Sequence, residues 1–209
     1  RADLLIEGRK ITRIGYRIEE NADKIIDCTD KLVMPGLVNA HLHSDENMFR
    51  GRFDNLPLEP WMLYSCPPLD YGPFSHRLIY LRTMIGAMEM VKKGITCVQD
   101  DVSECPKATV KGYDQVFQAY KDIGLKGNIA VNMGDRAFMD RLPYTKDCIP
   151  AQYHGLLSSH PDPDEMIETY EEVIRRWDRK DGMRVVFSTS APQRCTDEYL
   201  MRGLKTALK

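Results

Sequence analysis

Val33-Met34-Pro35-Gly36-Leu37-Val38-Asn39-Ala40-His41-Leu42-His43 is the stretch on which the reading of this chain turns. Pro35-Gly36 punctuates, an apolar run follows, and the run ends in two histidines spaced i, i+2. A short apolar run bounded by a turn predicts a buried strand. Side chains two apart on a strand point the same way. His41 and His43 therefore face one direction at the carboxyl end of that strand. Two neutral imidazoles side by side can share one divalent metal. The other reading is two ordinary half-buried histidines. The turn before the run and the long loop after it favour the metal.

Working outward toward the N-terminus, residues 3–35 read as strands. Leu4-Leu5-Ile6 leads through a Gly8 turn into Ile11-Thr12-Arg13-Ile14, which alternates apolar and polar as a half-buried antiparallel strand does. Ile25–Cys28 and Leu32–Met34 are two more short runs of the same kind.

Toward the C-terminus, strands and helices alternate. A loop over 44–74 follows the histidines. Ser75 then caps a helix whose apolar positions are Leu78, Leu81, Ile85 and Met88, and Gly94 stops it. Ile95–Val98 is a second strand, ending at Gln99-Asp100-Asp101. Tyr113, Val116, Phe117, Tyr120 and Ile123 mark the next helix, and Lys126–Met133 is the third strand. A second long loop, 134–161, precedes a helix opened by Asp162-Pro163 and striped with Met166, Tyr170, Val173, Ile174 and Trp177. Arg184–Thr189 is the fourth strand, and Thr196 caps a last helix carrying Leu200 and Leu204. Four β-loop-α units in a row predict a parallel sheet with crossover helices, an α/β fold. The long loops all follow strands, which places function at the carboxyl ends of the strands. No Gly-x-Gly-x-x-Gly or P-loop follows any strand, so nucleotide-phosphate binding loses support.

Composition narrows the class further. The 209 residues carry 29 basic and 31 acidic side chains, a formal charge of −2, which argues against nucleic acid and against a membrane surface as partners. Mean hydropathy is −0.42 and no run approaches a membrane span or a signal segment, so a cytoplasmic protein is expected. The six cysteines, Cys28, Cys66, Cys97, Cys105, Cys148 and Cys195, form no Cys-x-x-Cys pair and read as reduced thiols.

Pro35–His43 resembles the first-strand signature of the amidohydrolase superfamily. Arg50-Gly51 and Asn55-Leu56-Pro57-Leu58-Glu59-Pro60-Trp61-Met62 are similar to the branch that holds cytosine deaminases, S-adenosylhomocysteine deaminases and triazine chlorohydrolases. Glu89–Val98 resembles the end of that family's first helix and its second strand. Ser190-Ala191-Pro192 with Cys195–Glu198 resembles the end of its fourth strand. The resemblance implies a TIM-type (β/α)8 barrel with a small β-sandwich. Residues 1–35 would be part of the sandwich, and 36–209 would be barrel units one to four. It also implies hydrolysis by metal-activated water: deamination or dehalogenation of a small heterocyclic substrate. His41 and His43 would be metal ligands, with zinc expected and iron the alternative. Trp61 would pack on the substrate ring, or else anchor its loop. Arg136, just past the third strand, would face a polar substrate group, or else lie on the surface.

Two details refine this. The fourth strand contains no lysine, which favours a single metal over a carbamylated-lysine pair. The later strands that would bring further ligands and the general acid/base are not among these residues, and His76, His154 and His160 are not expected to replace them. Four units fill 36–209, and eight of that size would need roughly 350 residues. The chain is thus expected to be an N-terminal portion, inactive alone and prone to homo-oligomerise. The competing expectation is a non-catalytic half-barrel module.

Overall fold

The computed structural model describes residues 2–65, 73–104, 107–141, 144–189 and 191–209. Cys66, Cys105 and Ser190 lie outside the described residues. The chain divides into two compact units, Arg1–Pro35 and Gly36–Lys209.

The first unit holds β1 (Asp3–Glu7) and β2 (Lys10–Gly15), paired antiparallel around a turn in which Gly8 has φ +60°. Ile25–Cys28 and Leu32–Met34, expected as strands, form none. Ile25 is 86% exposed and Leu32 84%. An apolar run is held as a strand only where a neighbouring strand takes its backbone hydrogen bonds. Among the described residues these two runs have no such neighbour.

The second unit is built on four strands, β3 (Leu37–Leu42), β4 (Ile95–Ser103), β5 (Lys126–Asn132) and β6 (Met183–Ser188). They lie side by side in chain order, every pair parallel. The helices are α1 (Leu58–Ser65), α2 (His76–Lys92), α3 (Val110–Ile123), the short α4 (Thr145–Cys148) and α5 (His154–Leu157), α6 (Pro163–Trp177) and α7 (Asp197–Ala207). The expected β/α alternation is present, and the two long loops contain α1, α4 and α5 besides short 3₁₀ turns. Side chains cap the crossover helices as their sequences promise. Ser75 accepts from Leu78 N, Thr109 from Gly112 N, Asp162 from Asp164 N and Thr196 from Tyr199 N. Gly124 ends α3 at φ +81°, a conformation that only glycine adopts without strain.

The core lies between the sheet and the helices. Val98, Val102, Ile129 and Val131 pack with Tyr113, Val116, Phe117 and Tyr120 of α3 and with Tyr170 and Val173 of α6. Each such side chain contributes about 1.5–3 kcal/mol by leaving water. Three expectations change. β3 is an edge strand, with Leu37 49% and Val38 64% exposed, because among the described residues only one strand flanks it. α2 turns Ile85 and Met88 outward and buries Ile79, Ala87 and Met90 together with polar Arg82 and Thr83. α7 buries Tyr199 and leaves Leu204 exposed. No described helix is long and apolar enough to cross a membrane.

Candidate functional site

The carboxyl end of β3 is stitched to that of β4 by a short ladder of side-chain bonds. Ser44 N donates to Asp100 Oδ1 at 2.9 Å, and His43 Nδ1 lies 2.7 Å from the Asp101 carbonyl. Tyr120 on α3 donates to Asp100 Oδ2 at 2.7 Å. Asp100 is fully buried, and burial pushes its carboxyl up while Ser44 and Tyr120 pull it back. The same burial, with the Asp100 charge beside it, pushes the Tyr120 phenol well above its ordinary value. Asp100 thereby fixes the loop that carries His43.

A carbonyl only accepts, so His43 Nδ1 carries a proton, and in the neutral tautomer of this ring Nε2 is the nitrogen with the lone pair. This is the second contact that a metal-binding histidine needs for its tautomer. The His41 ring stands edge-on to the His43 ring, centroids 4.8 Å apart. Glu46 follows in the next turn. Burial raises its carboxyl, and the two histidines pull it down. The pair suits a divalent metal as two of its ligands. Among the described residues no group of three or more His, Cys, Asp or Glu is placed to hold one, so by itself the pair would supply only part of a coordination shell.

A cavity of about 690 Å³ opens beside His43. Trp61, on the first turn of α1, lines it with Met62, and Asp45, Glu104 and Asn132 bring polar atoms from the strand ends. Of the residues singled out from sequence, His43 and Trp61 are on this wall. His41 adjoins it through its ring contact with His43. Arg136 is not on the wall: its Nε donates to the Cys195 carbonyl at 2.9 Å, and its own carbonyl accepts from Arg141. Arg141 and Arg194 line the cavity instead, as does His160, whose Nδ1 lies 3.4 Å from the Asp135 carbonyl. Sequence reading missed Glu104 and Asn132. The rule that function gathers at strand carboxyl ends applies to both, since Asn132 closes β5 and Glu104 follows β4 directly. The same rule reaches His160 only through its loop, 134–161, which follows β5 and is expected to line the pocket, without singling out this residue.

Residues 32–209 match the amidohydrolase family. The chain belongs to the amidohydrolase family. Among relatives in this family, a 5-methylthioadenosine/S-adenosylhomocysteine deaminase from Thermococcus kodakarensis is 33% identical over 141 residues, 68% of this chain and 31% of its own length. A triazine hydrolase from Arthrobacter aurescens superposes with a TM-score of 0.74 at 18% identity, over 99% of this chain and 45% of its own. An adenosine deaminase from Xanthomonas campestris, solved with bound zinc, gives 0.59 at 22% identity, over 83% of this chain and 34% of its own. The family expected from the His41-x-His43 stretch is thus shown. The fold is that of four consecutive β/α units of a TIM-type barrel, with a small β unit before them. The matched stretches are 31–42% of the length of the first curated relatives.

Proposed function

We propose that this chain supplies the first part of the active site of a metal-dependent amidohydrolase acting on a small heterocyclic substrate, by hydrolytic deamination or dehalogenation. His41 and His43 serve as two ligands to one divalent metal. Zinc is the choice favoured by the zinc-bound amidohydrolase relative, while imidazoles also suit iron. The ion would act as a Lewis acid and bring water to the pKa of a neutral-pH nucleophile. Trp61 offers a flat apolar face to a planar ring, and Arg136 supports the site by holding Arg141 through its carbonyl. The single observation that carries the reading is the His43–Asp101 contact. It gives Nδ1–H a partner, so that the neutral ring would have Nε2 as its ligating nitrogen, and His43 lines a cavity together with Trp61. The curated relatives point to an adenine nucleoside among possible substrates. The protein is proposed to work in the cytoplasm as a homo-oligomer, with neither nucleic acid nor membrane as partner.

The test uses the intact protein that contains this chain, reconstituted with zinc and offered a panel of adenine nucleosides and chlorotriazines. Ammonia or chloride release is expected from at least one, with metal content and activity both lost in His41→Ala and His43→Ala. Full activity in either variant overturns the assignment. The 209-residue chain alone is expected to be inactive.

A further inference from the structure

Arg82 on α2 and Glu104 form an ion pair nearly sealed from water, the side chains 3% and 4% exposed. The guanidinium also lies over the Phe74 ring, 5.5 Å from its centroid. Nothing in the chemistry proposed above uses this pair. Desolvation offsets much of the attraction between buried charges, so stability alone is a weak reason for it. Its position is more telling. Arg82 takes Oε1 of Glu104, and Glu104 is itself on the wall of the cavity that holds His43 and Trp61. An ionised carboxylate accepts hydrogen bonds and donates none. Held in one orientation by a guanidinium, it selects for a donor on whatever enters the cavity.

We infer that Glu104 is a ligand-positioning residue: anchored by Arg82, it accepts a hydrogen bond from an N–H or O–H group of the small molecule bound in this cavity. The inference rests on the functional reading above and adds a residue to the same site. Burial pushes the Glu104 carboxyl up to about 7, the Asp100 charge adding to the rise and Arg82 opposing it. The groups that face it are Arg82 from α2, Asp100 from β4 and Tyr113 from α3. Recognition by the carboxylate is therefore strongest above neutrality and fades as pH falls through that range.

The experiment measures dissociation constants by calorimetry on the intact zinc-loaded protein, with 5′-deoxyadenosine and its 2′,3′-dideoxy analogue as probes. Turnover is blocked by working with the purine ribosides that lack the leaving amine where needed. Glu104→Gln keeps the shape and an acceptor for Arg82. It is expected to weaken binding about tenfold or more at about pH 8, and much less at about pH 6. A loss confined to the probe with sugar hydroxyls places the donor on the sugar; an equal loss for both places it on the ring. Should Glu104→Gln fail to fold, Glu104→Asp keeps the charge and withdraws it by one methylene. It should weaken binding while retaining the pH dependence. A wild type that binds and turns over these probes, with affinity unchanged in both variants, overturns the inference alone. A wild type that neither binds nor hydrolyses any member of the wider panel overturns the functional reading and this inference with it.

Discussion

At the scale of single residues, the site depends on a few buried polar groups that must all be satisfied. Asp100 is the clearest, since it takes the Ser44 amide and the Tyr120 hydroxyl in a place without water. Tyr120→Phe removes one donor from a buried carboxylate and should cost about 1–3 kcal/mol, read from urea unfolding. A loss near zero would mean that the Tyr120 bond does not hold the loop. Glu104 adds a pH signature. Its folded pKa, about 7, lies above its ordinary 4.5, so between these values the folded state binds more protons than the unfolded one. Stability should then fall as pH rises from about 4.5 to about 7, by on the order of 3 kcal/mol, and level off above. Unfolding midpoints across that range should show this slope in the wild type and a shallower one in Glu104→Gln, since Asp100 is raised as well.

At the scale of elements, close approaches decide how helices seat on the sheet. α7 crosses β6 at Gly203, where an added Cβ would overlap the Phe187 ring. That ring is wedged between Tyr170 and Tyr199, centroids 5.4 and 5.6 Å away, so it has little room to yield. Gly203→Ala should destabilise by about 1–3 kcal/mol despite its better helix propensity, measured as a lowered thermal midpoint. A raised midpoint would show that α7 slides freely. Gly36 meets Thr96 in the same way, which explains why a glycine follows Pro35 where β3 begins beside β4. The strand-helix alternation was legible because caps, glycine stops and apolar runs agree. The buried faces of α2 and α7 were less so. Ile85 and Leu204 repeat at helical spacing yet face outward, since periodicity marks an apolar stripe and says nothing of which neighbour meets it.

At the scale of the whole molecule, the parallel sheet has two edges among the described residues, β3 and β6. Leu37 and Val38 on β3 and Ile85, Met88 and Val91 on α2 are exposed large apolar side chains. Unpaired strand edges and exposed apolar groups favour association. Sedimentation of the 209-residue chain should show mass rising with concentration, and Val38→Lys combined with Met88→Glu should return it toward monomer. A monomer at every concentration removes self-association from the proposal. The same chain should take up zinc more weakly than the intact protein, because two imidazoles make an incomplete shell.

The sequence by itself determined the family, the four β/α units and the two histidines at the end of the first parallel strand. These are local signals: a turn, an apolar run, a spacing of two. It could not show that the Asp101 carbonyl fixes the His43 tautomer, nor that Glu104, Asn132 and His160 share a cavity with Trp61. Those groups lie far apart in the chain, and only the parallel register of neighbouring strands brings their ends together. Arg136 shows the same limit from the other side. Its place after a strand suggested a substrate contact, while the packing of the neighbouring loop gave its guanidinium the Cys195 carbonyl as partner. A side chain's partner is set by what the fold places beside it, and that is a property of tertiary structure alone.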